Sequence, residues 1–188
     1  MKKSDITKKL IKDSAKELFR GSGYSGITMK DICEKSGLSR GGLYRYYSSV
    51  KNIMLDILEE DKNNSEEDLK KAIELKIPAK IIFDIFLENI KRDIKSEENR
   101  FFFSVHEFSF KEPEKNEYMN KRFESAVRIM SLLLDYGKKT GEFKNFETSS
   151  TAAFITFFRD SIITSSVNLI FSDEFLDEQF KILKGMII

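Results

Sequence analysis

The sequence predicts an all-α protein with a small N-terminal DNA-binding domain followed by a larger helical domain. The chain has only two prolines and nine glycines among its 188 residues, and it is rich in Lys, Glu, Leu and Ile, a composition that favours helices. Apolar residues recur at helical spacing along most of its length. One stretch, residues 28–47, has the pattern of two short helices around a tight turn, which is typical of a helix-turn-helix.

The first helix of this stretch is predicted to begin at Thr28. Thr28 and Asp31 stand three residues apart, as in a capping box, where the threonine accepts an amide hydrogen bond and the acid favours the positive helix end. Gly37 suits the left-handed residue that ends a helix. Ser39 is a good N-cap for the second helix, which is predicted over residues 40–47.

The second helix has an unusual composition. Gly41 and Gly42 fall in its first turn, and each costs about 1 kcal/mol relative to alanine in a helix, so a loop is the alternative. As a functional feature, a face without side chains lets the backbone approach another surface closely. Arginine is the usual bidentate reader of guanine, and tyrosine hydroxyls bind phosphate. The candidate DNA-binding residues are Thr28, Ser39, Arg40, Gly41, Gly42, Tyr44, Arg45 and Tyr46.

The residues of this region resemble the TetR family of bacterial transcriptional regulators. The resemblance covers roughly residues 6–58, under a third of the chain, and many positions agree at fixed spacing. Its motif positions are Thr28, Ile32, Gly37, Leu38, Ser39, Leu43, Tyr44, Tyr46, Tyr47, Ser49, Lys51 and Ile53. The chain departs from the family at Val50, where the family has a lysine that meets a DNA phosphate. Lys51 is the candidate replacement.

The resemblance implies more than a DNA-binding head. It implies a homodimer on inverted-repeat, double-stranded operator DNA, and a cavity for a small-molecule effector between the central helices of the body. The chain has seventeen phenylalanines, which suit a largely apolar effector or, alternatively, an ordinary core. His106 is the single histidine, and a hydrogen-bonded core residue is the alternative for it. The predicted effector wall is Phe86, Phe103, His106, Phe110, Phe123, Val127, Phe154 and Phe158.

Charge and composition agree with this function. Residues 1–55 hold twelve Lys/Arg against five Asp/Glu, a balance of +7, whereas residues 56–188 hold twenty against twenty-six, a balance of −6. A basic head suits a polyanion, although chance clustering of solvated charges is the alternative. There is no run of 18 uncharged apolar residues and no apolar leader, so we expect no membrane association. One cysteine fits a cytoplasmic protein.

The domain boundary is predicted just after the fourth helix. Residues 1–48 would form the helix-turn-helix domain, residues 49–61 a connecting helix, and residues 62–188 the ligand-binding and dimerisation domain. Residues 59–71 are polar apart from Leu69, which predicts a helix end or a loop. Five body helices are expected to begin near Pro78, Ser96, Pro113, Thr148 and Ser172.

The last two predicted helices carry long apolar stripes. The stripes are Ala152, Ile155, Phe158, Ile162 and Ser166 on one helix, and Phe175, Phe180, Leu183 and Ile187 on the other. By analogy with the family they would pair with their copies about a two-fold axis. The alternative is that they pack within one chain. For the switch, we expect the far end of the fourth helix, near Ile57 and Leu58, to enter the body and to be moved by the effector.

Other classes of protein fit the sequence less well. One His and one Cys cannot build a His/Cys metal cluster, the residue three before His106 is Phe103 rather than Glu, and Gly41-Gly42 lacks the lysine and spacing of a phosphate loop. We therefore expect no catalytic site, metal or cofactor. The remaining alternative is an all-α interaction protein without ligand control. The effector, the operator sequence and the regulated genes are not encoded in these patterns.

Overall fold

The computed structural model of the chain describes residues 3–112 and 116–188, and within these ranges it has nine helices and no strand. The all-α prediction is confirmed. None of these helices is long and apolar enough to cross a membrane. The helices are α1 Lys3–Ser22, α2 Met29–Ser36, α3 Arg40–Tyr44, α4 Val50–Glu74, α5 Ala79–Lys95, α6 Glu98–Lys111, α7 Asn116–Lys139, α8 Thr148–Ser165 and α9 Asp173–Ile187.

The local signals of the helix-turn-helix are confirmed. Thr28 accepts from the Asp31 amide while the Asp31 side chain accepts from the Thr28 amide, which is a complete capping box. Gly37 ends α2 in the left-handed region with φ of 70°, where glycine has no Cβ to strain. The Ser39 hydroxyl accepts from Gly42 N–H and caps α3. α3 ends earlier than predicted, because the amides of Tyr46 and Tyr47 both turn back to the Leu43 carbonyl.

The prediction of a loop within residues 59–71 is wrong, because α4 continues unbroken to Glu74. Helical ion pairs support this polar segment, with Lys62 on Glu59 at 2.5 Å and Lys70 on Glu66 at 2.7 Å. Arg128 of α7 also binds Glu66 through two nitrogens, at 2.6 and 3.0 Å. Hydrogen bonds from Arg128 and then Lys70 lower the pKa of Glu66 to about 2. Paired charges thus support a segment whose one apolar residue, Leu69, reaches the body core.

The chain forms two apolar clusters, which we call the head core and the body core. The head core joins α1 to α4, and it also takes in three residues from α6: Phe101, Val105 and Phe108. The body core is built from α5, α7, α8 and α9 and is also contacted by Leu69 and Ile73 of α4 and by Phe102 of α6. Ile57 and Leu58 meet the predicted body through the α6 residues that share the head core, and they are not part of the body core. Helices α4 and α6 therefore connect the head to the body.

Ion pairs hold α1 against α4. Lys12 contacts Glu60 at 2.5 Å, and Lys16 binds Asp61 at 2.8 and 3.1 Å. Two lysines on the polar face of α1, Lys12 and Lys16, thus form ion pairs with α4 within the chain.

Most of the stripe residues predicted to form the dimer interface pack instead within the chain, whereas Phe175 is exposed. The members Ala152, Ile155, Ile162, Phe180, Leu183 and Ile187 are at most 8% exposed. The opposite side of each helix is also apolar, so the sequence alone gives two competing faces. The outward side carries Phe154, Phe157, Phe175, Ile182 and Met186, which are 42–61% exposed. α8 ends at Ser165, and Pro113, the predicted start of α7, lies outside the described residues.

Candidate DNA interface and effector site

Helix α3 is anchored by two side chains that point into the head. Leu43 is fully buried and Tyr47 is 6% exposed. The Tyr47 hydroxyl donates a hydrogen bond to the Asp56 carboxylate of α4. Burial, helped by this acid, raises the pKa of Tyr47, so the phenol keeps its proton and its donor role. These contacts fix the rotation of α3 and leave its other side facing outward.

The outward side of α3 carries the predicted base and phosphate contacts. Arg40, Gly41 and Arg45 are exposed, and Tyr44 is 53% exposed. An open cleft of about 400 Å³ separates this face from the start of α2; its lining residues are Thr28, Met29, Lys30, Arg40 and Tyr44. The structure therefore brings Thr28 of α2 next to Arg40 and Tyr44 of α3. Tyr46 differs, because it is half-buried and packs on the head core.

The two glycines of α3 are not required by contacts within the chain. A Cβ added to Gly41 would meet nothing within 4 Å, and one added to Gly42 would meet the Ser39 Oγ at 3.3 Å. Neither glycine has the left-handed backbone that restricts other residues. The open space at Gly41 is what a surface needs if another molecule's backbone is to approach closely.

Lys51, the predicted phosphate contact, is engaged by the body. Its Nζ lies 2.7 Å from Glu112 Oε2, just after α6, and both side chains are mostly buried at 26% and 20% exposure. The Tyr24 hydroxyl donates to the other oxygen of Glu112 at 3.2 Å. A DNA phosphate at Lys51 would therefore compete with Glu112.

Helix α6 also holds the head at three further points. The Tyr24 backbone N–H donates to Glu107 Oε2 at 2.8 Å, and the Ser104 hydroxyl donates to the Phe19 carbonyl at 2.8 Å. Arg20 of α1 pairs with Glu98 at the start of α6. The same helix turns Phe103 and His106 away from the head, as exposed side chains.

The predicted effector wall is dispersed in the structure. His106 of α6 and Thr164 of α8 are hydrogen-bond partners, with Nε2 and Oγ1 3.0 Å apart. Phe123 of α7 packs against Phe157 of α8 with ring centroids 4.5 Å apart. Phe103 is 40% exposed on the same side of α6 as His106. These contacts place parts of the predicted wall on α6, α7 and α8, and their role in effector binding stays a prediction.

The other predicted wall residues have different surroundings. Val127, Phe158 and Phe86 pack at the edge of the body core, and Phe86 also stacks on Phe83 at 5.8 Å. Phe110 is 84% exposed near the end of α6, and Phe154 is 48% exposed on the outer side of α8. The structure does not bring these five together with His106 in one enclosed cavity.

A charged group not included in the predicted wall lies at the centre of the body. Arg159 sits on the inward side of α8, between the buried Ile155 and Ile162, yet its side chain is 29% exposed. Its guanidinium carbon lies 4.8 Å from the centre of the Phe102 ring. Burial lowers the pKa of Arg159, and Asp160 opposes this effect. The sequence indicates the inward position of Arg159, because residue 159 is four after Ile155 and seven after Ala152 and so lies on the same helical face.

The described residues hold no cluster of His, Cys, Asp and Glu that could bind a metal. The geometry instead defines a class: a helix-turn-helix whose second helix presents arginine, tyrosine and glycine outward is a DNA-binding head. The head is joined to a helical body by α4 and α6, which contact both cores.

Comparison with known proteins identifies the family. A model described as bacterial regulatory proteins of the tetR family matches residues 11–57, and a model of the tetracyclin repressor-like C-terminal domain matches residues 82–176. The HTH-type transcriptional regulator YfiR of Bacillus subtilis (strain 168) is 32% identical over 171 residues, which are 89% of this chain and 82% of the relative. The chain belongs to the TetR family of transcriptional regulators and is not an enzyme.

Solved structures share the fold over nearly the whole chain. Salmonella enterica GusR superposes with a TM-score of 0.75 at 16% identity, covering 99% of this chain and 97% of GusR. NalD, the secondary repressor of the MexAB-OprM multidrug efflux pump in Pseudomonas aeruginosa, superposes with a TM-score of 0.72 at 15% identity, covering 98% of both chains. At these identities the likeness extends to the fold alone.

Proposed function

We propose that this regulator is a dimeric repressor that binds an inverted-repeat operator in the bacterial cytoplasm and is released by a small molecule bound in its body. The observation that carries the proposal is the outward face of α3, where Arg40, Tyr44 and Arg45 are exposed around an open Gly41. In this role Arg40 would contact a base edge, and the tyrosines would contact phosphates.

The arrangement of helices supports control by a ligand. α6 contributes Phe101, Val105 and Phe108 to the head core and turns Phe103 and His106 to the other side. A ligand that favours one position of α6 would therefore favour one position of the head. NalD, which shares the fold, is a repressor, and this supports repression as the direction of control.

The exposed apolar face of α8 and α9 supports a dimer. It consists of Phe154, Phe157, Phe175, Ile182 and Met186, each at least 42% exposed, and several large exposed apolar side chains on the last two helices are what an interface would cover. A second copy on a two-fold axis would cover it in both chains at once. Two heads would then meet adjacent major grooves about 34–36 Å apart.

The test is selection of binding sites from randomised double-stranded DNA. We expect an inverted repeat to be enriched by the full-length protein. Arg40→Ala should cost about 1–3 kcal/mol of binding free energy and lose preference at one position of each half-site. Arg92→Ala, which removes a 70% exposed arginine from α5, is the matched control and should leave the selected motif unchanged.

Two results would contradict the proposal. If no sequence is enriched, the chain is an interaction protein rather than an operator-binding regulator. If Arg40→Ala selects the same motif with the same affinity, then α3 does not read bases through Arg40.

A further inference from the structure

We propose that the effector is an amphipathic carboxylic acid, held by its acid group at Arg159 and by its apolar part between α6, α7 and α8. This inference rests on the proposed function, since it names the chemical class of the ligand that controls DNA binding. The evidence is the position, exposure and partners of Arg159.

The position of Arg159 is unusual for an arginine. It belongs to the face of α8 that builds the body core, where Ala152, Ile155 and Ile163 are at most 1% exposed. Its side chain nevertheless keeps 29% of its exposure. The guanidinium therefore lies at the edge of the body core, where another molecule can reach it.

The partners of Arg159 leave much of its guanidinium unused. Its ion pair is with Asp160, the next residue in the chain, through a single nitrogen at 3.2 Å. A guanidinium has five N–H donors in a planar fork that matches a carboxylate with two parallel hydrogen bonds. Its other close contact is with the Phe102 ring, which lies against the guanidinium and occupies none of its N–H donors in a hydrogen bond to oxygen. The fork thus retains capacity for an external carboxylate.

Two further charged groups, Arg122 and Asp93, lie near Arg159. Arg122 of α7 lies near enough to disfavour the charged form of Arg159, and it has no ion-pair partner among residues 3–112 and 116–188. Asp93 is a nearby acid. Burial raises the pKa of its carboxyl, while Arg159 and Arg92 oppose that effect. Because Arg122 has no ion pair within these ranges, an added carboxylate at Arg159 would have a second cation nearby.

The walls indicate an apolar remainder for the ligand. Phe102 lies on the guanidinium of Arg159, and Phe103 is exposed on the same helix. One guanidinium fork beside aromatic rings matches one acid group on an apolar body. The hydrogen bond between His106 and Thr164 joins α6 to α8 at the same side.

The experiment compares acids with their neutral amides on the full-length protein. Octanoate and 2-naphthoate are the probes, with octanamide and 2-naphthamide as matched neutral compounds, and binding is measured by calorimetry. We expect at least one acid to bind about tenfold or more tightly than its amide. Arg159→Met should weaken that acid about 30-fold and the amide less than about threefold, as for loss of a charged hydrogen bond.

Control variants keep the result interpretable. Arg100→Met, which removes a 56% exposed arginine from α6, should leave acid binding unchanged. Arg159→Lys keeps the charge without the fork and should fall between the wild type and Arg159→Met. If Arg159→Met does not fold, the acid-to-amide ratio of the wild-type protein and the Arg159→Lys variant carry the test.

Failure of this inference is distinct from failure of the proposed function. Equal affinity for acids and amides, or no binding of either acid below about 1 mM, would overturn the carboxylate site, and release of the operator by a neutral compound would still support ligand control. An acid that binds at Arg159 without changing operator affinity would support the site and contradict the ligand-controlled repressor.

Discussion

The Glu107 carboxylate of α6 accepts the backbone N–H of Tyr24 at 2.8 Å, so the body helix holds the loop that leads into α2. Tyr24 lies outside the helices, so the Glu107 side chain provides the acceptor that a helical carbonyl would otherwise provide. The adjoining Gly23 has a left-handed φ of 71°, and a Cβ there would come within 2.3 Å of Glu107. The contact therefore depends on both residues.

Removing this contact should weaken the coupling between body and head. We expect Glu107→Ala to lower the free energy of unfolding by about 1–2 kcal/mol, since it removes the acceptor of the 2.8 Å hydrogen bond from the Tyr24 amide. Operator affinity without effector should stay within about threefold, while the loss of affinity caused by effector should shrink. Fluorescence anisotropy on labelled operator measures both. Glu117→Ala, an 80% exposed acid on α7, is the control, and equal coupling in the two variants would contradict a role for Glu107.

Gly41→Ala should separate folding from DNA binding. A methyl group there meets nothing within 4 Å, and alanine favours a helix by up to about 1 kcal/mol over glycine. We therefore expect the melting temperature to stay or rise while operator affinity falls at least tenfold, because the methyl group keeps the backbone away from DNA. Thermal unfolding and anisotropy measure these effects. A variant that binds the operator normally would show that α3 does not approach DNA at Gly41.

Glu112→Gln should tighten DNA binding through Lys51. Loss of the 2.7 Å ion pair removes an acceptor that competes with phosphate for the ammonium group, and an added phosphate contact makes binding steeper in salt by about one unit of slope. Lys51→Ala should weaken binding to all sequences alike and make the slope shallower. The comparison is made by anisotropy across a salt series.

A double-mutant cycle distinguishes this effect from simple removal of negative charge. In a Lys51→Ala background, Glu112→Gln should change operator affinity less than it does in the wild type. The same gain in both backgrounds would mean that Glu112 acts at long range, and that Lys51 does not contact phosphate.

Ile182→Glu should dissociate the dimer without unfolding the chain. Ile182 is 60% exposed on α9, whereas Phe180 is 5% exposed in the body core. A buried charge at a shared interface costs several kcal/mol, so sedimentation at about micromolar concentration should show a monomer. Lys181→Glu at an exposed neighbouring position is the control. Phe180→Glu is unsuitable because it would disrupt the core, and an unchanged dimer in Ile182→Glu would place the interface elsewhere.

The sequence predicted best the features that depend on neighbouring residues. The Thr28 capping box, the Gly37 stop and the Ser39 cap are hydrogen bonds within a few residues, and all three are present. The segment 59–71 was mispredicted because its helix is supported by paired charges and by Arg128, which is far along the chain. Local polarity alone does not reveal such partners.

Features that depend on packing between distant helices could not be predicted. The run at 101–108 has apolar residues on several sides, and only the fold decides that Phe101, Val105 and Phe108 join the head while Phe103 stays exposed. In the same way, α8 and α9 each have two apolar sides, and the choice of the inner one follows from the other helices. Arg159 and its neighbour Asp160 were visible as charges on an apolar helix, but the contact of Arg159 with Phe102 was not.

The most direct test of ligand control is operator affinity measured with and without a bound effector. A small-molecule library is first screened by thermal shift on the full-length protein, and each binder is then added at saturation to protein on labelled operator. We predict at least one binder that weakens operator binding tenfold or more, about 1.4 kcal/mol. Val127→Trp, which fills space beside the body core, should bind the operator normally and resist release. If every saturating binder left operator affinity unchanged, the body would not control the head.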